Sequence, residues 1–153
     1  MGGGILPVAY HENDIYFLFS RESFTKRHKG LWSDFGGSKE NRETQYETAI
    51  RECVEESCGI LGDKDDIRIL IKNNCITKIR DKGYSIYLVR VEYNKKIVKI
   101  FSEHFKKMLK DYPDLVKEKN GLFEKDKLRW IKLQDLKKNI NIFRPWYKKF
   151  IYK

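Results

Sequence analysis

The segment from Gly36 to Gly59, GGSKENRETQYETAIRECVEESCG, places most constraint on the fold, because a glycine pair leads directly into a charged helical pattern. The pattern predicts an amphipathic helix over Thr44 to Cys58. At about 100° per residue, Glu52, Glu55 and Glu56 share one face of that helix, and apolar side chains occupy the other. One face is therefore expected to pack on a core, while the other gathers carboxylates.

Such a cluster of carboxylates is chemically suited to a cation. Like charges one helical turn apart are mildly unfavourable, and a divalent ion between them would reverse the sign of that interaction. Oxygen ligands without nearby His or Cys favour Mg²⁺, Mn²⁺ or Ca²⁺ over zinc or copper. A solvated acidic face is the alternative that the cluster alone leaves open.

The spacing of the whole segment narrows these alternatives. It reads Gly37, five residues, Glu43, seven residues, Arg51-Glu52-Cys53, one residue, Glu55-Glu56. This spacing resembles the Nudix box, and the flanking stretches GILPVAY, GLWSDFGG and LRWIKLQDL are similar to strands and a helix of Nudix domains. The resemblance implies an α/β (α+β) fold, a Nudix-like α/β/α sandwich with a mixed β-sheet.

The segment departs from the box at one position. Cys58 stands where the box ends in glycine, and Gly59 follows one residue later. We therefore expect the helix to run one residue longer before it turns. Because the three glutamates precede this position, metal binding is expected to be retained, and Cys58 is expected to be a buried residue at the helix end rather than a nucleophile.

The resemblance implies a Nudix pyrophosphohydrolase that uses Mg²⁺ or Mn²⁺ to cleave a phosphoanhydride in a nucleoside diphosphate linked to another moiety. It implies that Glu52, Glu55 and Glu56 hold the metal, together with the backbone carbonyl of Gly37. Glu52 or Glu56 could also orient the attacking water. A metal-bound water is a stronger nucleophile than bulk water, and the cation offsets the charge that develops on phosphate oxygens.

Other positions of the motif are given structural roles by the resemblance. Glu43 and Arg51 are expected to pair and to fix the loop against the helix. Gly36 and Gly37 permit close backbone approach to phosphate or metal, or they form a tight strand-to-helix turn. Glu124 is a candidate catalytic acid from a distant loop, and an exposed loop glutamate is the alternative.

Candidate substrate-binding residues precede the glycine pair. Trp32 and Phe35 could stack on a base, although aromatic residues in strands more often belong to the core. Arg27, His28 and Lys29, which follow Lys26, form a basic loop near the expected pocket mouth. They could contact substrate phosphates, or they could belong to a solvated loop.

The rest of the chain alternates strand and helix patterns, which favours mixed α/β layering. We predict strands at Ile5–Tyr10, Ile15–Phe19, Ile67–Ile71, Asn74–Ile79, Tyr84–Tyr93 and Leu128–Leu133. A helical insertion is expected near 101–121, with the helix Phe101–Val116 interrupted at Tyr112-Pro113, and further helices are expected at Gln134–Lys138 and from Arg144 onward.

Charge points to an anionic partner. The 153 residues include 32 Lys and Arg against 22 Asp and Glu, a net charge of +10, which attracts nucleotides, nucleic acid or other polyphosphates. Capped RNA is the leading specific substrate, since phosphate contacts and aromatic stacking both suit RNA. Inositol pyrophosphates, small nucleotides and a catalytically silent RNA-binding module remain open.

Length and cysteine content set the remaining expectations. A chain of 153 residues suits a single domain spanning 1–153. The three cysteines include no CxxC pair, which argues against a zinc site or a disulfide framework. Since no apolar run approaches the length of a membrane span, we expect a soluble, cytoplasmic protein without membrane contact.

Overall fold

A mixed β-sheet lies at the centre of the molecule. In the computed structural model, which describes residues 1–23 and 28–153, seven strands form this sheet. The strands are β1 (Gly2–His11), β2 (Asp14–Glu22), β3 (Trp32–Ser33), β4 (Phe35–Ser38), β5 (Cys75–Asp81), β6 (Tyr84–Arg90) and β7 (Lys125–Lys132).

Strand β1 organises the sheet. It runs parallel to β6 and antiparallel to β2, and its first residues also pair antiparallel with β4. The remaining strands extend the sheet on both sides, with β7 on β2 and β5 on β6. The register of β1 and β4 sets Gly3 opposite Gly37, so the glycine pair before the first helix is hydrogen-bonded next to the middle strand, β1.

Helices cover mainly one face of the sheet. They are α1 (Gln45–Glu56), α2 (Lys64–Asn74), α3 (Lys96–Asp111), α4 (Pro113–Lys117) and α5 (Lys148–Ile151), with 3₁₀-helices at Leu133–Asp135 and Ile140–Ile142. None of the helices in the described part of the chain is both long and apolar enough to cross a membrane.

Alternating side chains divide the core into two layers, because successive residues of a strand point to opposite faces. Ile5 and Leu18 face α1, α2 and α3, whereas Leu6 and Phe19 face the C-terminal segment, where Phe143 is packed. The arrangement matches the predicted α/β/α sandwich with a mixed sheet. Its second layer consists of short 3₁₀ turns and the four-residue α5, so the helix predicted from Arg144 begins later and is short.

The predicted strand Ile67–Ile71 is wrong, because these residues lie inside α2. Asp63 caps the helix and Asp66 completes a reciprocal capping box, which favours a helix start. Ile67 and Ile71, one turn apart, are the buried positions of α2. A short run of isoleucine and leucine resembles a strand by composition, but its burial follows the helical period.

The predicted helical insertion is present as two helices. Helix α3 begins earlier than predicted, at Lys96, and ends before Tyr112, and Pro113 occupies the first turn of α4. The predicted interruption at Tyr112-Pro113 is therefore confirmed. Phe105 of α3 and Val116 of α4 pack with Phe123 in a small separate cluster.

Candidate metal centre

Helix α1 is fixed at both ends by local contacts. Thr44 accepts a hydrogen bond from the backbone N–H of Glu47, whose side chain accepts one from the N–H of Thr44. At the other end the helix stops at Glu56, and Cys58 adopts a left-handed backbone with φ of 51°. The expectation of a helix one residue longer is therefore wrong. Cys58 itself takes the conformation that a glycine usually supplies.

The inner face of α1 holds the helix against the sheet. Ala49, Ile50 and Cys53 are buried in the core that includes Ile5 of β1 and Phe35 of β4. This packing sets the opposite side of the last turns beside the glycine pair. Apolar burial of the inner face thereby brings the glutamates to the glycine pair, where further contacts hold their side chains.

Arg51 is the centre of the charged contacts on this surface. Its Nε donates to Glu43 Oε1 at 2.7 Å, and Nη1 donates to Glu52 Oε1 at 2.9 Å and to Glu55 Oε2 at 3.1 Å. Nη2 also reaches the carbonyl oxygen of Ser38 at 3.1 Å. The guanidinium therefore connects the loop before α1 with two of the three candidate metal ligands.

Glu56 has a different environment from its two neighbours. Only 2% of its surface is exposed, and Oε2 accepts a hydrogen bond from the backbone N–H of Gly36 at 2.8 Å. Its Oε1 lies 3.5 Å from Nζ of Lys125, which is fully buried and donates to Glu22 at 2.8 Å. Arg144 contacts the same oxygen of Glu22 at 3.0 Å. Glu56 thus belongs to a buried network of alternating charge.

Asp34 adds a further buried carboxyl group next to this network. Its side chain accepts hydrogen bonds from the hydroxyl of Tyr84 at 3.1 and 3.3 Å. Burial raises the pKa of Asp34 to about 7, and the nearby Lys125 opposes the shift. Neither Asp34 nor Tyr84 was singled out from the sequence.

Burial also shifts the three glutamates of α1. It raises the pKa of Glu52 to about 7 against the opposing effect of Arg51, and the charges of Glu55 and Glu124 add to the rise. The pKa of Glu55 is raised and that of Glu56 is raised well above its usual range, again chiefly by burial. Burial thus disfavours the charged form of these carboxyls, and a cation bound next to them would favour the charged form.

The donor set fits a hard divalent cation. In the described residues, no three His, Cys, Asp or Glu side chains are already arranged around a common ion position. The contacts explain this, since Glu56 turns inward and the Arg51 guanidinium stands between the oxygens of Glu52 and Glu55. A cation thus already bridges these two carboxylates, and all available ligands are oxygens.

Gly37 leaves the space next to these carboxylates open. A Cβ at this position would lie 2.7 Å from the carboxyl carbon of Glu52. Gly121 also borders the cluster, since a Cβ at this position would be 3.3 Å from Glu55 Oε2. Glycine at both positions gives the backbone close access to the carboxylates.

Glu124 lies near the cluster. It interacts electrostatically with Glu52, and its carbonyl oxygen accepts a hydrogen bond from the N–H of Ser23 at 2.9 Å. The loop containing Glu124 is therefore adjacent to α1, although residues 56 and 124 are far apart in the sequence.

The predicted substrate-binding residues differ in burial and in position. Phe35 is fully buried and Trp32 is 7% exposed, so both belong to the core rather than to a stacking surface. His28 and Lys29 lie in the turn that precedes β3. Arg27, and Lys26 beside it, lie outside the described residues.

Solved structures with similar folds identify the architecture. The crystal structure of the Nudix hydrolase RenU from M. smegmatis matches 96% of this chain and 78% of its own, with a TM-score of 0.57 and 12% identity. A binary complex of C. elegans Ap4A hydrolase matches 99% of this chain and 91% of its own, with a TM-score of 0.56 and 16% identity. The chain has the Nudix hydrolase fold. At these identities the likeness concerns the fold alone.

Sequence comparisons add less about this Nudix fold. No protein-family model matches the sequence. A curated protein, "Uncharacterized protein L534" of Acanthamoeba polyphaga mimivirus, is 41% identical over 56 residues. That match covers 35% of this chain and only 18% of the relative's length.

The charged network of Glu22, Lys125 and Arg144 was missed from the sequence. Glu22 and Lys125 are register partners on β2 and β7. Glu22 follows the predicted strand Ile15–Phe19 and Lys125 precedes the predicted strand Leu128–Leu133, so neither residue gives a local signal. Only the pairing of the two strands brings the residues together.

Proposed function

We propose that this chain is a divalent-metal-dependent hydrolase that cleaves a phosphoanhydride bond in a nucleoside diphosphate-linked substrate. The observation that carries the proposal is that all three glutamates of α1 lie next to the glycine turn or its arginine. Glu52 lies beside Gly37, Glu56 accepts a hydrogen bond from Gly36, and Arg51 connects Glu52 with Glu55. The Nudix hydrolase fold supports it.

In this proposal Glu52, Glu55 and Glu56 hold Mg²⁺ or Mn²⁺, and the carbonyl of Gly37 is a further ligand. When bound, the cation polarises a phosphoryl oxygen and lowers the pKa of a water molecule. The chain's own residues hold and orient the reacting groups. Arg51 remains tied to Glu43 through Nε and Nη2, so this pair does not depend on Glu52 or Glu55.

The buried network favours some proton acceptors over others. Glu56 is poorly placed to take a proton from water, because both of its oxygens face protein donors and it is almost fully buried. Glu52, with its pKa raised to about 7, and Glu124 in the adjacent loop remain the candidate bases. A catalytic base works best when its pKa is near the working pH.

Capped RNA is the first specific substrate to test, with mRNA decapping as the corresponding activity. The net charge of +10 supports a polyanionic substrate, and helix α3 contributes several exposed lysines. RNA binding without turnover would describe the alternative, a catalytically silent module with the same fold.

The proposal is tested by measuring product release from capped RNA, dinucleoside polyphosphates and inositol pyrophosphate, with and without Mg²⁺. Glu52→Gln and Glu55→Gln should each reduce turnover at least about 100-fold, because loss of a metal ligand costs several kcal/mol of transition-state stabilisation. Glu103→Gln is the matched control, since Glu103 is an exposed glutamate of α3 paired only with Lys99 among its described contacts.

Unchanged turnover in both variants, or turnover that ignores Mg²⁺, would refute the proposal. RNA binding by the wild type with no product from any substrate would favour the silent module. Glu124→Gln adds a separate comparison. Loss of turnover with retained metal binding in this variant would assign the base to the loop.

A further inference from the structure

A pocket of about 270 Å³ opens directly beside the candidate metal centre. Gly37 and Ser38 form part of its wall and also belong to the centre, because Gly37 faces Glu52 and the Ser38 carbonyl accepts from Arg51. A molecule in this pocket would therefore contact the backbone segment that also borders the candidate metal centre. The four predicted substrate-binding residues that the structure describes, His28, Lys29, Trp32 and Phe35, do not line it.

Two aromatic side chains form a fixed wall of this pocket. Tyr84 and Trp146 meet edge to face, with ring centroids 4.9 Å apart. The Tyr84 hydroxyl is held by Asp34, and Trp146 packs on Phe150 with centroids 6.0 Å apart. Both rings are only partly buried, so they offer aromatic surface to a ligand without rearrangement of the core.

Cationic side chains line the same pocket. The Arg144 guanidinium lies 5.3 Å from the centroid of the Trp146 ring, and Lys82 and Lys149 are further lining residues. Asp81 also lines the pocket, and its carboxylate is paired with Lys149 and with Lys153. Because an ammonium group has three donors, Lys149 can contact an anion while it retains Asp81.

The combination of ring surface and excess cations distinguishes two substrate classes. A nucleotide offers an aromatic base for stacking and phosphates for the cations, and base stacking on aromatic side chains is sequence-tolerant. An inositol pyrophosphate offers charge but no ring system to stack. The aromatic wall would then serve no purpose in recognition.

We propose that this pocket binds the nucleoside end of a nucleotide substrate, with its base against Trp146 and Tyr84 and its phosphates directed toward Gly37. The inference rests on the proposed function for the reaction, but the binding itself does not require turnover. It assigns the substrate to the nucleoside diphosphate-linked class rather than to the inositol pyrophosphates.

Calorimetric titration with ADP in the presence of EDTA tests binding without metal and without hydrolysis. Trp146→Leu keeps an apolar side chain against Phe150 but removes the stacking surface, and it should weaken ADP binding about tenfold or more. The same variant should leave binding of inositol hexakisphosphate, a probe with charge and no base, nearly unchanged.

Lys149→Gln is the second variant, and it keeps the inference testable if Trp146→Leu does not fold. Removal of this charge should weaken ADP binding about tenfold, as expected for a hydrogen bond to a charged group. Lys148→Gln is the matched control. The side chain of Lys148, the residue next to Lys149, points to Asn141 and does not line the pocket. Far-UV circular dichroism establishes that each variant is folded.

Wild-type protein that fails to bind ADP, or folded variants that bind it as well as wild type, would overturn the pocket assignment. Hydrolysis that persists in Trp146→Leu with an unchanged KM would also count against the pocket, while the hydrolase proposal would stand. Conversely, ADP binding that depends on Trp146 in a protein without hydrolytic activity would support the pocket and refute the hydrolase.

Discussion

Asp34 offers a quantitative test of the buried electrostatics, through the substitution Asp34→Asn. This carboxyl is fully buried, and burial raises its pKa from 3.8 to about 7. The folded protein therefore binds more protons than the unfolded chain between these values. Stability from the protonated form is fully present below pH 3.8 and is lost as the pH rises through about 7.

The size of this loss follows from the shift. A difference of about 3 pKa units corresponds to about 4 kcal/mol over the whole range, of which about 3 kcal/mol falls between pH 5 and pH 9. Asparagine keeps the shape of the side chain and an oxygen for the Tyr84 hydroxyl, but it does not titrate. Between pH 5 and pH 9, the free energy of unfolding of Asp34→Asn should therefore rise by about 3 kcal/mol relative to that of wild type.

Urea unfolding followed by circular dichroism at pH 5, 7 and 9 measures the difference. Asp65→Asn, at an exposed aspartate of α2, controls for the loss of one negative charge. If the stabilities of wild type and Asp34→Asn stay parallel between pH 5 and pH 9, the assignment of a strongly desolvated carboxyl at this position is refuted.

Three further substitutions test other parts of the structure. Lys125→Met should destabilise the protein by about 3–5 kcal/mol in urea unfolding, because it leaves Glu56 buried without its cation, and a loss below about 1 kcal/mol would contradict this. Glu43→Gln should lose less stability than wild type when the pH is lowered from 4.5 to about 2. The Arg51 hydrogen bond lowers the pKa of Glu43 to about 2, so its stabilisation is present above pH 4.5 and disappears as the pH falls through about 2. Equal acid sensitivity of variant and wild type would argue against that pair. Gly37→Ala should reduce turnover at least about tenfold in a Mg²⁺-dependent assay, since the new methyl group meets the Glu52 carboxyl, whereas normal turnover would show that this space is not needed.

Helix α1 was predictable because its determinants are local. The capping residue, the apolar positions and the glutamates all lie within one short segment, and the structure places the helix at Gln45–Glu56. The β1–β2 hairpin and β6 were likewise recognisable from alternating or β-branched residues. The error at Ile67–Ile71 arose because residue type was weighted above spacing.

The buried side chains of the site were not predictable in the same way. Lys125 meets Glu22 only through pairing of β7 with β2. Asp34 lies beside the glycine pair in the sequence, but its burial depends on Tyr84 from a strand on the other side of β1. Trp146 is likewise far from Gly37 and Tyr84 in the sequence, and only the tertiary fold brings these residues to one pocket.

Cys58 departs from the motif in residue type but not in the conformation that the position favours. The residue adopts the left-handed conformation that glycine favours, and the N–H of Gly59 still reaches the carbonyl of Val54 at 2.9 Å. An ordinary residue in this conformation costs roughly 1–2 kcal/mol. The turn after α1 is therefore determined by the surrounding contacts rather than by this residue's own preference.

Mn²⁺ binding followed by electron paramagnetic resonance tests the central claim most directly, because it reports on the carboxylates of α1 without requiring a substrate. The wild type and Glu103→Gln should bind Mn²⁺, whereas Glu52→Gln and Glu55→Gln should weaken binding at least about tenfold, since each loses one ligand. Equal Mn²⁺ binding in all four proteins, or no binding by the wild type at millimolar Mn²⁺, would contradict a metal centre on this helix.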